Sequence, residues 1–217
     1  MLKKIIRLLL LTLLLLTSIP SVTANNYYCG YWWEGEATAA PYGVSGYIYT
    51  NNKFVPTGEM LAQWVAVQMS YSLDYFVQIG FQKGVNNGYV LDWYVEKVDS
   101  SGYSIWWGDD QFEEGTPSSS TYYTYYIWLE SSPTRWAVYV NPWSEAKAIY
   151  TSTYSSVDLQ AFSETTDDDI CIDDTHFDYL SYPDNNDWNL WDQHLKWDDS
   201  DYYCYQDSDY EFHGDGP

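Results

Sequence analysis

Apolar and polar positions alternate with a period of two along most of the chain, and little of it carries a helical period. Trp64 to Ser70 (WVAVQMS) sets Val65, Val67 and Met69 on one side. Tyr75 to Gln82 (YFVQIGFQ) does the same with Val77, Ile79 and Phe81. The turn signal Val85-Asn86-Asn87-Gly88 joins that run to Tyr89 to Val98 (YVLDWYVEKV), which predicts a hairpin. Gly43 to Thr50 reads as a strand closed by Asn51-Asn52. Further strands are expected at Tyr103 to Trp107, Tyr122 to Leu129, Arg135 to Val140, Ala146 to Thr151, Val157 to Glu164 and His176 to Tyr182. About ten short strands between polar turns predict an all-β fold, an antiparallel two-sheet sandwich.

No internal repeat and no linker interrupts this run, so residues 25–217 are expected to form a single domain. From about Pro183 the composition changes to an acidic, Trp-rich extension. Asn185 to Ser200 reads as a long ordered loop pinned by Trp188, Trp191 and Trp197. One late strand around Tyr202 to Gln206 is expected to return to a sheet.

The N-terminus follows a different rule. Lys3, Lys4 and Arg7 precede a leucine-rich run from Leu8 to Leu16, and Val22-Thr23-Ala24 supplies small residues for cleavage. That order is a signal peptide covering residues 1–24, with an apolar run too short to span a bilayer. The expectation is a secreted, extracellular protein with no membrane contact after cleavage.

Three of the nine basic residues and none of the 31 acidic ones lie in that leader, leaving six positive side chains against 31 negative. Such a field repels nucleic acid and anionic membranes. Twelve Trp, 24 Tyr and seven Phe argue against disorder, and they exceed what one core needs. Cysteine usage fits an oxidising compartment. Cys29 lies near one end and Cys204 near the other, each after Tyr-Tyr; terminal strands of a sandwich are often neighbours, so Cys29–Cys204 is the first choice of bridge and Cys171 is left over.

Asp167-Asp168-Asp169 and Asp173-Asp174 lack the spacing of a calcium loop, and His176, His194 and His213 lack that of a zinc site. These read as solvated surface, and no metal or cofactor is expected. On the sheet side opposite the aliphatic stripe, alternation gathers Trp64, Gln68, Phe76, Gln78 and Gln82. Aromatic plates beside amides suit extended polar ligands: rings stack on apolar faces while amides pair with hydroxyls or peptide groups. The alternative is that this face packs under the Trp-rich tail.

The order of several short motifs resembles the glutamic peptidase (eqolisin) family, which shares a concanavalin A-like sandwich with many secreted lectin-like proteins. They are Gly43-Val44-Ser45-Gly46-Tyr47-Ile48, Val55-Pro56, Trp64-Val65-Ala66-Val67, Gln78-Ile79-Gly80, Trp93-Tyr94-Val95-Glu96 and Ala161-Phe162-Ser163-Glu164, then the strand at His176. The resemblance implies a concanavalin A-like jelly roll. It also implies a catalytic pair, with Glu164 as base and Gln78 as oxyanion donor. Alternation sets both side chains off the aliphatic faces, Glu164 on one side with Gln160 and Phe162. The segment Asn26 to Gly35 and the Asp-rich stretch after Glu164 depart from the family's pattern.

Three readings follow. The first is a lectin-like sandwich that binds an extracellular polymer, carbohydrate before peptide, through Trp64, Gln68, Phe76, Gln78, Gln82 and Glu164. The second is an acid-acting glutamic endopeptidase using Gln78 and Glu164. The third is a structural cell-surface protein. The first is preferred, because the resemblance implies fold more securely than activity.

Overall fold

The structure is a computed structural model that describes residues 26–33, 42–70, 75–108, 116–130, 135–141, 145–151, 158–184 and 187–216. The leader read at 1–24 lies outside them. Fifteen strands run in chain order: β1 (Tyr27–Trp33), β2 (Gly43–Tyr49), β3 (Met60–Ser70), β4 (Tyr75–Gly84), β5 (Asp92–Asp99), β6 (Gly102–Trp107), β7 (Tyr122–Leu129), β8 (Arg135–Val140), β9 (Glu145–Tyr150), β10 (Asp158–Thr165), β11 (Thr175–Asp184), β12 (Asp187–Leu190), β13 (His194–Asp198), β14 (Tyr203–Ser208) and β15 (Glu211–Asp215).

They form two antiparallel sheets. One has the order β13-β1-β10-β3-β4-β5-β6; the other has β14-β15-β11-β2-β7-β8-β9, with β12 paired to β11. The aliphatic stripes read from the sequence are the inner faces. Val65, Val67, Val77, Ile79 and Leu159 of the first sheet and Val44, Ile48, Ile127 and Val138 of the second are all fully buried. Alternation therefore sends the even-numbered residues of β3, β4 and β10 to the outer face of the first sheet. A second, smaller cluster forms there from Ala62, Trp64, Ala66, Tyr94 and Phe162.

The predicted hairpin joins β4 to β5 through a short 3₁₀ turn at Val85–Asn87, with Gly88 left-handed. β5 starts at Asp92 rather than Tyr89, because Tyr89 itself has a positive φ and cannot continue a strand.

The chain ends add one strand and correct one expectation. Tyr27–Trp33 is a strand, and it lies inside the first sheet between β10 and β13. The stretch expected as a loop contains β12 and β13, and β13 pairs with β1 from Cys29↔Asp198 to Trp33↔His194. The acidic tail is thus part of the sandwich, since β13 extends one sheet while β14 and β15 extend the other. Cys29 of β1 and Cys204 of β14 are bridged, with Cα atoms 5.6 Å apart, which ties the two sheets together; Cys171 is free.

Candidate functional site

Cross-strand register builds the site. On the outer face of the first sheet, Gln160, Ala66, Gln78 and Glu96 form one row from β10 to β5. Phe162, Trp64, Gly80 and Tyr94 form the next, and Glu164, Ala62, Gln82 and Asp92 the one after. Small residues at Ala62, Ala66 and Gly80 leave the middle of this face low. Gly80 is required: a Cβ there would lie 1.9 Å from the Gln63 carbonyl oxygen. Close approach of β3 and β4 at that point therefore demands the glycine two residues after Gln78.

The result is a groove of about 440 Å³ lined by Trp64, Gln68, Phe76, Gln78, Gln160, Phe162 and Glu164. Its size is that of a small-ligand site. Asn26, Tyr28 and Trp32 from the β1 end, Glu96 from β5 and Trp197 from β13 complete the walls. Five of the six residues anticipated on this face line the groove. Gln82 does not: it lies a full row beyond Gly80 and is buried to 3% exposure against Asp92. Asn26, Tyr28, Trp32 and Trp197 escaped the sequence reading. For Tyr28 and Trp32 the available signal was their alternation with Cys29, Tyr31 and Trp33, which all face the core.

Glu164 is held by three donors. Trp64 Nε1 donates to Oε2 at 2.9 Å, Asn26 Nδ2 to Oε1 at 2.7 Å, and the Tyr28 hydroxyl to Oε1 at 3.4 Å. Burial nevertheless pushes its pKa up, outweighing the opposing pull of Trp64 and Tyr28. Gln78 is 7% exposed, and both N–H groups of its amide are engaged, one with the Tyr94 hydroxyl at 3.0 Å and one with Glu96 Oε2 at 2.9 Å. The Glu96 carboxyl is raised to about 7, by burial first and then by the charge of Glu164, with the Gln78 hydrogen bond opposing.

Two buried carboxyls, both raised above the ordinary range, therefore share one cleft beside an amide with two donors. Such a set can activate a water molecule and stabilise a developing oxyanion. Aromatic side chains around it can equally bind the apolar faces of a polymer.

The fold is a concanavalin A-like sandwich of the kind the glutamic peptidases share. Scytalido-glutamic peptidase bound to a peptide-based transition state analog superposes with a TM-score of 0.61, at 11% identity over 89% of this chain and 99% of that one. SCP-B, an eqolisin-family peptidase in complex with the tripeptide Ala-Ile-His, gives 0.58 at 10% identity over the same shares. The kappa-carrageenase of Pseudoalteromonas carrageenovora overlaps only in part, at a TM-score of 0.32 over 58% of this chain. No protein-family model matches the sequence, and no curated protein sequence does.

Proposed function

We propose that this chain is an exported glutamic-type endopeptidase acting in mildly acidic conditions, with Glu164 as general base and Gln78 as oxyanion donor. One observation carries the proposal: Glu164 is desolvated, yet oriented by three donors, in the groove it shares with Gln78. A surface made only for binding gains nothing from holding a carboxylate in that state, whereas a base profits from a raised pKa. The superposed peptidases hold a peptide-based transition state analog and a tripeptide, and these ligands support a polypeptide substrate. The leader-like residues 1–24 and the Cys29–Cys204 bridge support export.

In the reaction, Glu164 takes a proton from water as the oxygen attacks the scissile carbonyl carbon. The carbonyl oxygen gains the negative charge and accepts an N–H from Gln78. Glu164 then returns the proton to the leaving amine as the C–N bond breaks. Gln78 must first free a donor from Glu96. Protonation of Glu96 does this, because a neutral carboxyl no longer competes as an anionic acceptor.

The pH dependence follows in sign. Glu164 acts only when ionised, so the rate rises with pH through its pKa, above the ordinary 4.5. The rate falls again as Glu96 ionises near pH 7. Purified protein should therefore cleave a denatured protein substrate with a bell-shaped profile between those limits. Glu164→Gln and Gln78→Ala should each lower kcat by roughly 10²-fold or more.

A second reading, capture of an extracellular polysaccharide without cleavage, is favoured by the aromatic rims, where Trp32 meets Trp197 with ring centroids 5.4 Å apart. It expects no proteolysis at any pH and a loss of polymer binding in Trp64→Ala or Phe76→Ala. That pair of outcomes would overturn the peptidase proposal.

A further inference from the structure

A second cluster of chemically capable side chains lies on the outer face of the other sheet, across the sandwich from the groove. Spacing along the chain hides it and register creates it. His176 of β11 and His213 of β15 are direct cross-strand partners. Their neighbours Phe177 and Phe212 are also paired, fully buried and stacked, so the two imidazoles necessarily point outward. Glu211 stands two residues before His213 on the same face of β15. Asp207 sits at the register irregularity of β14 between Gln206 and Ser208, which brings its carboxylate over the pair.

We propose that His176, Asp207 and Glu211 form a binding site for one Zn²⁺-class divalent ion that fastens the β14–β15 hairpin to β11. One ligand atom from each of the three lies within 4.8 Å of the others. Ligands around tetrahedral zinc lie about 3.4 Å apart, from metal–ligand distances of about 2.0–2.2 Å. The remaining gap is within reach of the partly exposed Asp207 and Glu211 side chains.

What separates this set from an ordinary acidic patch is the support behind it. The Tyr122 hydroxyl meets His176 Nδ1 at 2.5 Å, leaving Nε2 directed at Glu211 Oε1, 3.0 Å away. His213 Nδ1 meets Asp207 Oδ2 at 2.7 Å, and the Tyr205 ring stacks on His213 with centroids 5.0 Å apart. Each of two ligands is thus oriented by an outer partner, as metal ligands characteristically are. Proton positions balance on binding. With the ion bound, the His176 proton sits on Nδ1, donated to the Tyr122 oxygen, and the Nε2 lone pair faces the ion.

Imidazole with two carboxylates suits a borderline transition metal, while calcium prefers oxygen ligands throughout. The carboxylates of Asp207 and Glu211 supply negative charge for a divalent ion to cancel. A chain of net charge −22 also concentrates cations at its surface.

The test is calorimetric titration of the purified chain, carrying no histidine tag, with zinc chloride alone in a non-chelating buffer near pH 7.5. One equivalent should bind, and saturating zinc should raise the thermal midpoint. His176→Gln and Glu211→Gln should each weaken binding at least tenfold while circular dichroism stays that of wild type. Glu164→Gln should bind zinc as wild type does. Absence of stoichiometric binding overturns the proposal, as does affinity unchanged in both His176→Gln and Glu211→Gln. Tighter binding of calcium than of zinc also overturns it.

Discussion

Glu96 and Glu164 face one groove, and burial raises both, but their hydrogen bonds give them different work. Glu164 receives donors that orient its carboxylate oxygens, whereas Glu96 accepts from the Gln78 amide. In the proposed peptidase reaction the alkaline limb of the rate profile belongs to Glu96. Glu96→Gln offers a donor and an acceptor, as the protonated acid does, and never ionises. Its initial rates should hold their plateau past pH 7 while the acidic limb stays in place; an unchanged inflection near pH 7 would remove Glu96 from the mechanism. The place of Gln78 and Glu164 in the groove was legible because alternation puts them off the aliphatic faces and short motifs flank them. Glu96 shares that alternation with Tyr94, but only register shows that it meets Gln78. Gln82 misled for the complementary reason. Face is set by parity, whereas membership of a groove also depends on position across the sheet: Glu164 of the same row lines the groove, and Gln82, two strands away, does not.

Among the elements, the strands with an aliphatic stripe were readable and those without one were not. β1 is Tyr-Tyr-Cys-Gly-Tyr-Trp-Trp, so aromatic residues on both faces erase the polar–apolar contrast. It has an aromatic outer face because Tyr28 and Trp32 pack edge-on to Phe162 beneath the groove wall. β12 and β13 are mostly exposed and sit at sheet edges, where packing imposes little pattern. The pairing of Cys29 with Cys204 was accessible from chain-end proximity alone. It closes a loop with a sequence separation of 175, among the costliest in chain entropy to leave open. Replacing both cysteines by serine should lower unfolding stability by about 2–5 kcal/mol, read as a shift of the guanidinium midpoint. A midpoint that hardly moves would mean the strands hold their places without the bridge.

At the scale of the whole molecule, the two-sheet architecture was legible from strand count and turn spacing; the strand order was not, because register leaves no local trace. Electrostatics make the sandwich acid-favouring. Glu96 and Glu164 have folded pKa values raised above the unfolded 4.5, so the folded state holds more protons in that window. Their contribution is greatest below about pH 4.5 and declines as pH rises toward 7. Mutual repulsion of the acidic surface acts in the same direction. Asp173 is lowered chiefly by its hydrogen bond with Asp215, which is raised by the same contact, so that pair offsets itself. Thermal midpoints should therefore be higher at pH 5 than at pH 7, and added salt should narrow the difference without abolishing it. A lower midpoint at pH 5 would contradict both arguments. The groove's walls have one further consequence, and it concerns time. Tyr28 and Trp32 are translated early, Trp197 late, and the bridge at Cys29 waits for Cys204. A ribosome must finish nearly the entire sandwich before the cleft has both flanks, so whatever the groove does has to wait for the last strands of the chain.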